Sequence, residues 1–261
     1  MDSNRTCYQV VDRLAVEVHK SRLAMGTAAA RSVAAYLKGV IAERGYAKVV
    51  FACAPSQDEF YTALCSPEQT GVVIDWSRIV AFHMDDYFGL TAKDPQSFRY
   101  YLQKHLLDRV PVGLFHPLKG EDVNPQRICA TYANLLSVAP IDLICMGIGE
   151  NGHIAFNDPP VADFEDPYLV KLVELDEDCR RQQVNDGCFP EISKVPTHAL
   201  TLTVPVFRNA RRLSIHVPGP RKAPAVKAAL EGSISTACPA SILRTHPAAT
   251  LYLDTESAAA L

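Results

Sequence analysis

The sequence predicts an α/β protein with a mostly parallel sheet and helices on both faces. Its short apolar runs, rich in branched residues, are typical of strands that are buried on both sides. Longer segments with apolar residues at helical spacing separate these runs, and such alternation favours parallel pairing. The chain has 261 residues, of which 48% are hydrophobic and 21% charged, so it can bury a full core. We expect one domain over residues 1–261, because no linker, repeat or low-complexity tract divides the chain.

The helices are predicted from apolar residues that recur every three or four positions. Gly45 is expected to end the second of them. The third is expected to begin with Ser56 as its N-cap, and Glu59, three residues later, completes a capping box. In chain order the predicted helices are 9–20, 25–43, 56–64, 97–107, 125–138 and 223–230.

The strands are predicted from apolar runs and from alternating apolar and polar residues. Parallel sheets bind ligands at the carboxyl ends of their strands, so the residues that follow each strand are candidates for a site. In chain order the predicted strands are 47–54, 79–82, 141–146, 168–175, 198–204, 213–217 and 250–253.

The overall charge argues against several classes of function. A net charge of −3 and an isoelectric point near 6.2 give no general attraction to nucleic acid or to a membrane surface. The N-terminal residues lack the apolar core of a signal peptide, and no apolar run approaches the roughly 18 residues of a membrane span. We expect a cytoplasmic protein. The eight cysteines show no CxxC or finger-like spacing, which favours free thiols.

The stretch 147–160 is the strongest candidate for a functional loop. It follows the predicted strand 141–146 and contains Gly147, Gly149 and Gly152, which let a backbone turn sharply and approach a ligand closely. An imidazole and a carboxylate follow at His153 and Asp158. The alternative is a glycine turn followed by a histidine that is hydrogen-bonded within the fold.

Polar side chains also follow three other predicted strands. Ser56 lies after the first central strand, Asp85 and Asp86 after the second, and Arg221 and Lys222 after strand 213–217. A cation beside the free N–H groups of a helix start favours a phosphate, although two solvated cations would give the same pattern. On an extended backbone the two aspartates point in opposite directions, so only one can face a pocket squarely.

A metal site is a further alternative for these groups. His83 and Asp85 would share a side of the strand end and, with His153 and Asp158, could surround an ion. Neither stretch has a recognised ligand spacing, and a carboxylate with an imidazole also suits acid–base chemistry without a metal. We therefore predict no metal.

Two stretches carry a resemblance to a known family. Residues 82–90, Phe-His-Met-Asp-Asp-Tyr-Phe-Gly-Leu, and residues 147–159 are similar to the two signature stretches of the glucosamine-6-phosphate deaminase (isomerase) family. The Gly-His-Ile-Ala-Phe-Asn run at 152–157 is the specific part of the second stretch. The register of the helix at Ser97, the segment 195–201 and the pair at 221–222 also match, so the similarity covers about residues 47–253. The related 6-phosphogluconolactonases have a similar glycine loop, usually with a different continuation after the histidine.

The resemblance implies a Rossmann-like α/β fold and a reaction without a cofactor, in which an aldose–ketose isomerisation is coupled to loss of ammonia. Asp85 would be the base that moves a proton from C2 to C1 of the sugar, and His153 would open the sugar ring. Asp158 and Asn151 would support that histidine. Lys222 would bind the phosphate.

The remaining implied substrate contacts are Ser56, Asp86, Gly149, Gly152 and Arg221. The implied partner is a small sugar phosphate, with neither nucleic acid nor membrane, and a homo-oligomer is compatible with the resemblance.

The sequence departs from the family in the parts that hold the substrate. The typical phosphate loop, Thr/Ser-Gly-Gly-Thr/Ser-Pro, is replaced by Cys-Ala-Pro-Ser-Gln-Asp-Glu at 53–59, which lacks both glycines and brings two acids. Asp158 stands where the family has glutamate, so we expect the backbone or water to complete its contact with the histidine. Arg180 or Arg181 is the nearest replacement for the family's phosphate-contacting arginine. A sugar substrate other than glucosamine 6-phosphate is compatible with these changes.

Three functions are compatible with the sequence. The leading one is an amino-sugar-phosphate isomerase and deaminase. A lactonase that hydrolyses a sugar phosphate is the second, and it predicts tolerance of Asp85→Asn. The third is a non-catalytic sensor of sugar phosphates, but the predicted N-terminal helices show no basic face for DNA.

Overall fold

A computed structural model of the protein describes residues 4–261. Eleven strands form two sheets in it. In chain order they are β1 (Arg5–Val11), β2 (Leu14–His19), β3 (Ala47–Phe51), β4 (Ile79–His83), β5 (Asp85–Tyr87), β6 (Leu114–His116), β7 (Leu143–Met146), β8 (Val170–Glu174), β9 (His198–Leu202), β10 (Leu213–Val217) and β11 (Ala249–Asp254). The helices are α1 (Arg22–Arg44), α2 (Asp58–Leu64), α3 (Pro67–Thr70), α4 (Phe98–Leu102), α5 (Pro125–Ser137), α6 (Glu177–Asn185), α7 (Val204–Arg208) and α8 (Ala223–Glu231).

The main sheet has eight strands in the order β1-β2-β11-β10-β7-β3-β4-β6. Every neighbouring pair is parallel except the β1–β2 pair. The small sheet, β5-β9-β8, is antiparallel. The predicted fold class, a mostly parallel sheet with helices around it, is confirmed.

The main sheet separates two hydrophobic cores. Along β3 the side chains alternate, so that Val50 packs into one core while Val49 and Phe51 pack into the other. Helix α1 buries Leu37 and its neighbours in the core of Val49, whereas α5 and α8 bury apolar residues in the core of Val50. Helices therefore cover both faces.

The predicted helix at 9–20 is wrong. This segment forms the hairpin of β1 and β2, with Asp12 at a positive φ of 53° in the turn between them. In β2 the residues Leu14, Val16 and Val18 are buried, and the residues between them are half-exposed. The branched residues of this stretch suit a strand of period two, and β2 completes the sheet beside β11.

The predicted start of the third helix is also wrong. Residues Pro55–Gln57 form a 3₁₀ turn, and α2 begins after it with Gln57 at the N-cap position and no side-chain cap. Glu59 is not part of a capping box, because its carboxylate binds the Arg22 guanidinium at 2.9 Å. The other predicted helices and strands overlap observed ones, whereas β5, β6, α3, α6 and α7 were not predicted.

The sheet order brings four strand ends together. Strands β10, β7, β3 and β4 are neighbours and run parallel, so the segments that follow them meet at one edge. These segments carry all the predicted site residues. None of the helices within residues 4–261 has the length and apolar character that a membrane crossing requires.

Candidate active site

A cavity of about 460 Å³ lies at the ends of these four strands. It is large enough to take a small molecule the size of a sugar phosphate. Six of the predicted site residues line it, and they come from all four strand ends: Ser56, Asp85, Gly149, His153, Arg221 and Lys222. The other four predicted residues, Asp86, Asn151, Gly152 and Asp158, lie behind the lining.

Asp85 is a buried carboxylate on the cavity wall. It is 5% exposed, and no cation pairs with it among residues 4–261. Burial, together with the charge of the adjacent Asp86, raises the pKa of Asp85 well above its ordinary value. A carboxylate that is poorly solvated and unpaired has a high affinity for a proton, which suits a general base.

His83 fixes the backbone at this point. Its Nε2 accepts a hydrogen bond from the Leu118 N–H at 2.7 Å, so Nδ1 carries the hydrogen and donates to the Asp85 carbonyl at 2.9 Å. Burial and the charge of Arg99 lower the pKa of His83 to about 3, so its ring is neutral. Strand β5 adds a second constraint, because Asp85 pairs with Thr201 of β9.

Asp86 points away from the cavity, as the alternation of an extended backbone requires. One of its oxygens is 2.6 Å from Arg99 Nε, and the other accepts hydrogen bonds from the N–H groups of Tyr87 and Phe98. Burial raises the pKa of Asp86 to about 6, although Arg99 opposes that effect. A direct contact of Asp86 with substrate does not fit this geometry, because the Asp86 carboxylate faces away from the cavity and is paired with Arg99.

His153 and Asp158 form a close pair. His153 Nδ1 is 2.8 Å from Asp158 Oδ1, which leaves Nε2 free to meet a ligand, and the ring lies on the cavity wall. Burial would raise the pKa of Asp158, but the charge of His153 and hydrogen bonds from His153 and Asn151 lower it overall. The expectation that backbone or water must complete this contact was wrong. The loop brings the shorter side chain into direct reach, with Ala155 at a positive φ of 50°.

Asn151 makes hydrogen bonds to both residues of this pair. Its Nδ2 donates to Asp158 Oδ1 at 3.0 Å, and its Oδ1 accepts from the His153 N–H at 3.0 Å. Asn151 therefore orients the imidazole through the carboxylate and the backbone. It makes no contact with the cavity.

The two predicted glycines permit this loop. A Cβ on Gly149 would lie 2.3 Å from the His153 ring, so only glycine lets the imidazole pack against this backbone. Gly152 has a φ of +84°, and a Cβ there would approach Cys238 Sγ to 2.7 Å. Gly149 lines the cavity, whereas Gly152 acts on the shape of the loop.

Lys222 and Ser56 add polar groups to the cavity lining. The Lys222 side chain is 7% exposed, and no residue from 4 to 261 makes a hydrogen bond or ion pair with its ammonium. Burial lowers the pKa of Lys222, although Asp186 and Glu150 oppose the effect. A buried cation without a partner is costly, so a cavity lined by Lys222 favours an anion.

Arg221 is already paired. Its Nε is 2.9 Å from Glu150 and its NH2 group 2.7 Å from Asp186. Its charge is therefore largely balanced. The two acids of the altered loop are turned aside, because Asp58 accepts from the Tyr101 hydroxyl and Glu59 binds Arg22. They do not line the cavity.

The predicted arginine substitutes lie elsewhere. Arg180 donates to the carbonyls of Ile192 and Val195, and Arg181 is an exposed partner of Glu177. Helix α6 and the residue after it instead turn amide side chains and one carboxylate to the cavity: Gln182, Gln183, Asn185 and Asp186. These four residues were not predicted as site residues, because no helix was predicted for their segment.

The four-residue metal site does not form. Both ring nitrogens of His83 are occupied by the Leu118 and Asp85 backbone, so His83 cannot bind an ion. Within residues 4–261 one group of possible ligands exists, in which donor atoms of His153, Asp158 and Cys179 lie within 4.8 Å of one another. An ion there would have to separate the His153–Asp158 pair, because ligands of one metal lie about 3 Å or more apart.

Comparison with known proteins places this geometry in a family. The model described as "Glucosamine-6-phosphate isomerases/6-phosphogluconolactonase" matches residues 20–252. The chain belongs to this family. The glucosamine-6-phosphate deaminase of Bacillus thuringiensis (strain Al Hakam) is 36% identical over 184 residues, which are 70% of this chain and 68% of that protein. The deaminase of Bacillus cereus (strain AH820) matches to the same extent.

Solved structures of family members share the fold. A monomeric glucosamine-6-phosphate deaminase superposes with a TM-score of 0.86 at 29% identity, over 94% of this chain and 99% of that one. A 6-phosphogluconolactonase from Shewanella baltica OS155 gives a TM-score of 0.75 at 18% identity, over 94% and 99% of the two chains. The likeness to the lactonase concerns the fold alone.

Proposed function

We propose that this member of the family is an amino-sugar-phosphate isomerase and deaminase. It converts glucosamine 6-phosphate, or a closely related hexosamine phosphate, and water into the ketose phosphate and ammonia. One observation carries the proposal: the buried, unpaired carboxylate of Asp85, the ring of His153 with Asp158 behind it, and the unpartnered ammonium of Lys222 all belong to one cavity.

His153 is proposed to open the sugar ring. Its Nε2 takes the proton of the O1 hydroxyl, the C1–O1 double bond forms, and the C1–O5 bond breaks as O5 receives the proton. Asp158 stabilises the transient imidazolium, since a charge-assisted contact of 2.8 Å holds the ring in one orientation. Asp158 and Asn151 are therefore positioning residues.

Asp85 is proposed to carry out the isomerisation. It removes the proton from C2 of the open-chain aldehyde, and the electrons form a C1–C2 double bond while O1 is protonated. Asp85 then returns its proton to C1, and the amino nitrogen loses one proton to solvent, which balances the proton that O1 takes from solvent and leaves a neutral C2 imine. Because the carboxylate is buried and unpaired, it gains much by taking a proton, and its fixed position allows the transfer on one face of the sugar.

The release of ammonia is proposed to require no catalytic residue beyond those already named. Water adds to the C2 imine, the C2–N bond breaks, and a ketone remains. The phosphate does not react and contributes binding energy through Lys222 and Ser56, which both line the cavity.

The test is release of ammonia from glucosamine 6-phosphate and from galactosamine 6-phosphate near neutral pH. The reaction in heavy water adds a second measurement, because a proton moved by a carboxylate exchanges in part with solvent and leaves deuterium at C1. We expect ammonia from at least one sugar. Hydrolysis of 6-phosphogluconolactone, with no ammonia from either amino sugar, would reject the proposal in favour of a lactonase.

A further inference from the structure

A buried chain of hydrogen bonds leads to Ser56 on the cavity wall. Gln57 is fully buried, and its Oε1 is 2.7 Å from His216 Nδ1. Its Nε2 is 3.3 Å from the His216 carbonyl oxygen and 3.1 Å from Ser56 Oγ. The other ring nitrogen of His216, Nε2, is 2.8 Å from the Ser214 hydroxyl. The chain thus leads from the interior of β10 to the cavity.

The direction of each hydrogen bond follows from the chemistry of the groups. The His216 carbonyl can only accept, so the group that faces it is the Gln57 NH₂. The Gln57 carbonyl can only accept as well, so His216 Nδ1 carries a hydrogen. Burial lowers the pKa of His216 to about 3, so the ring is neutral and Nε2 accepts from Ser214.

This chain fixes the Ser56 hydroxyl as a donor. Ser56 Oγ accepts from the Gln57 NH₂, so its own hydrogen must point away from Gln57. No acceptor within residues 4–261 takes that hydrogen, and Ser56 faces the cavity that Lys222 also lines. Gly147 makes room for the arrangement, because a Cβ there would lie 3.3 Å from Gln57 Nε2 and 3.5 Å from Ser56 Oγ.

We propose that Gln57 and His216 are positioning residues for anion binding, which hold the Ser56 O–H toward a phosphate oxygen of the substrate. They supply, through one oriented hydroxyl, part of what backbone N–H groups supply in a glycine-rich phosphate loop. This inference rests on the proposed sugar-phosphate substrate. It assigns a role to the Ser-Gln pair of the altered loop.

The experiment is a double-mutant cycle on the full chain with Ser56→Ala, Gln57→Leu and the double variant. Calorimetry gives the Kd of inorganic phosphate, and steady-state kinetics with glucosamine 6-phosphate give KM and kcat. We expect Ser56→Ala to weaken phosphate binding about tenfold or more, since it removes a hydrogen bond to a charged group. We expect Gln57→Leu to weaken it about threefold to tenfold with kcat little changed. Gln103→Leu, an exposed glutamine outside this chain of hydrogen bonds, should change nothing.

The decisive comparison is made in the Ser56→Ala background. If Gln57 acts through Ser56, adding Gln57→Leu to Ser56→Ala has no further effect on Kd or KM. Equal effects of Gln57→Leu in both backgrounds would overturn the inference. If phosphate binding follows the expected pattern while no ammonia is released, the inference stands and the deaminase proposal fails. If ammonia is released while phosphate binding does not follow the pattern, the deaminase proposal stands and the inference fails.

A measurement on the wild-type protein tests the hydrogen-bond directions without a substitution that could impair folding. In nitrogen-15 NMR spectra the His216 ring should remain the neutral Nδ1–H tautomer across the range around neutral pH. A ring protonated at Nε2 would contradict the hydrogen-bond directions given above, and with them the orientation of Ser56.

Discussion

Asp85→Asn is expected to abolish most turnover while the fold is kept. The amide has the shape of the carboxylate but cannot take a proton from C2. A positioned general base contributes about 10² to 10⁴ in rate. The other carboxylate that lines the cavity within residues 4–261, Asp186, is paired with Arg221 and cannot replace it. We therefore expect kcat to fall about 10³- to 10⁴-fold, or roughly 4 to 5.5 kcal/mol in barrier height.

The same variant should bind substrate nearly normally and be at least as stable. Ser56 and Lys222 are the proposed phosphate contacts and are unchanged in this variant, so KM should change by less than about threefold. Burial raises the pKa of Asp85, so its contribution to stability is present at low pH and is lost as the pH rises through the folded pKa. The neutral amide of the variant carries no such penalty, and the melting temperature near neutral pH should equal or exceed that of the wild type.

Ammonia release, deuterium exchange at C1 and thermal unfolding together test this prediction. Asp86→Asn is the matched control, because it changes the adjacent carboxylate. That variant deprives the buried Arg99 of its fully buried carboxylate partner and should lose about 3 kcal/mol of stability. Asp85→Asn with more than about a tenth of the wild-type kcat would refute Asp85 as the base, because removal of a positioned general base lowers the rate far more than that.

Other changes test the remaining parts of the site. Lys222→Gln should raise KM about tenfold to a hundredfold with kcat little changed, because it removes a charged contact to phosphate. Arg221→Gln should raise KM less than about threefold, since the charge of Arg221 is already balanced by two acids. As the pH is lowered, kcat/KM should fall with an apparent pKa above the ordinary value of a carboxyl. Asp86→Asn should lower this apparent pKa, because the charge of Asp86 helps to raise the pKa of Asp85. The pKa of His216 is about 3 in the folded protein, below its value in the unfolded chain. The contribution of His216 to stability is therefore complete above about pH 6.5 and falls by about 1.4 kcal/mol per pH unit toward pH 3. The free energies of unfolding of the wild type and of His216→Leu, measured with urea, should differ by that slope.

The central sheet could be predicted because its strands are buried on both sides. Runs such as 213–217 are buried at every position and leave little ambiguity. The hairpin formed by residues 5–19 could not be predicted in the same way. Its apolar residues fit a helical spacing and an alternating one, and the choice depends on contact with β11, which is distant in sequence.

The placement of Asp85, His153 and Lys222 at the cavity could be predicted, because each of them follows a predicted strand of the parallel sheet. It was not predictable where the role depends on a partner far along the chain. Gln57 meets His216 across 159 positions, and the pairing of Arg221 with Asp186 needs the unpredicted helix α6. Such contacts leave no spacing in the sequence.

The ion pairs of Arg221 also bear on how firmly the segments around the cavity are held together. They join three separate segments at the rim of the cavity, through Glu150, Asp186 and the loop after β10. The arginine side chain is 54% exposed, and pairs of this kind are worth only about 0 to 1 kcal/mol each. The two pairs therefore add little to the free energy that separation of these three segments would require.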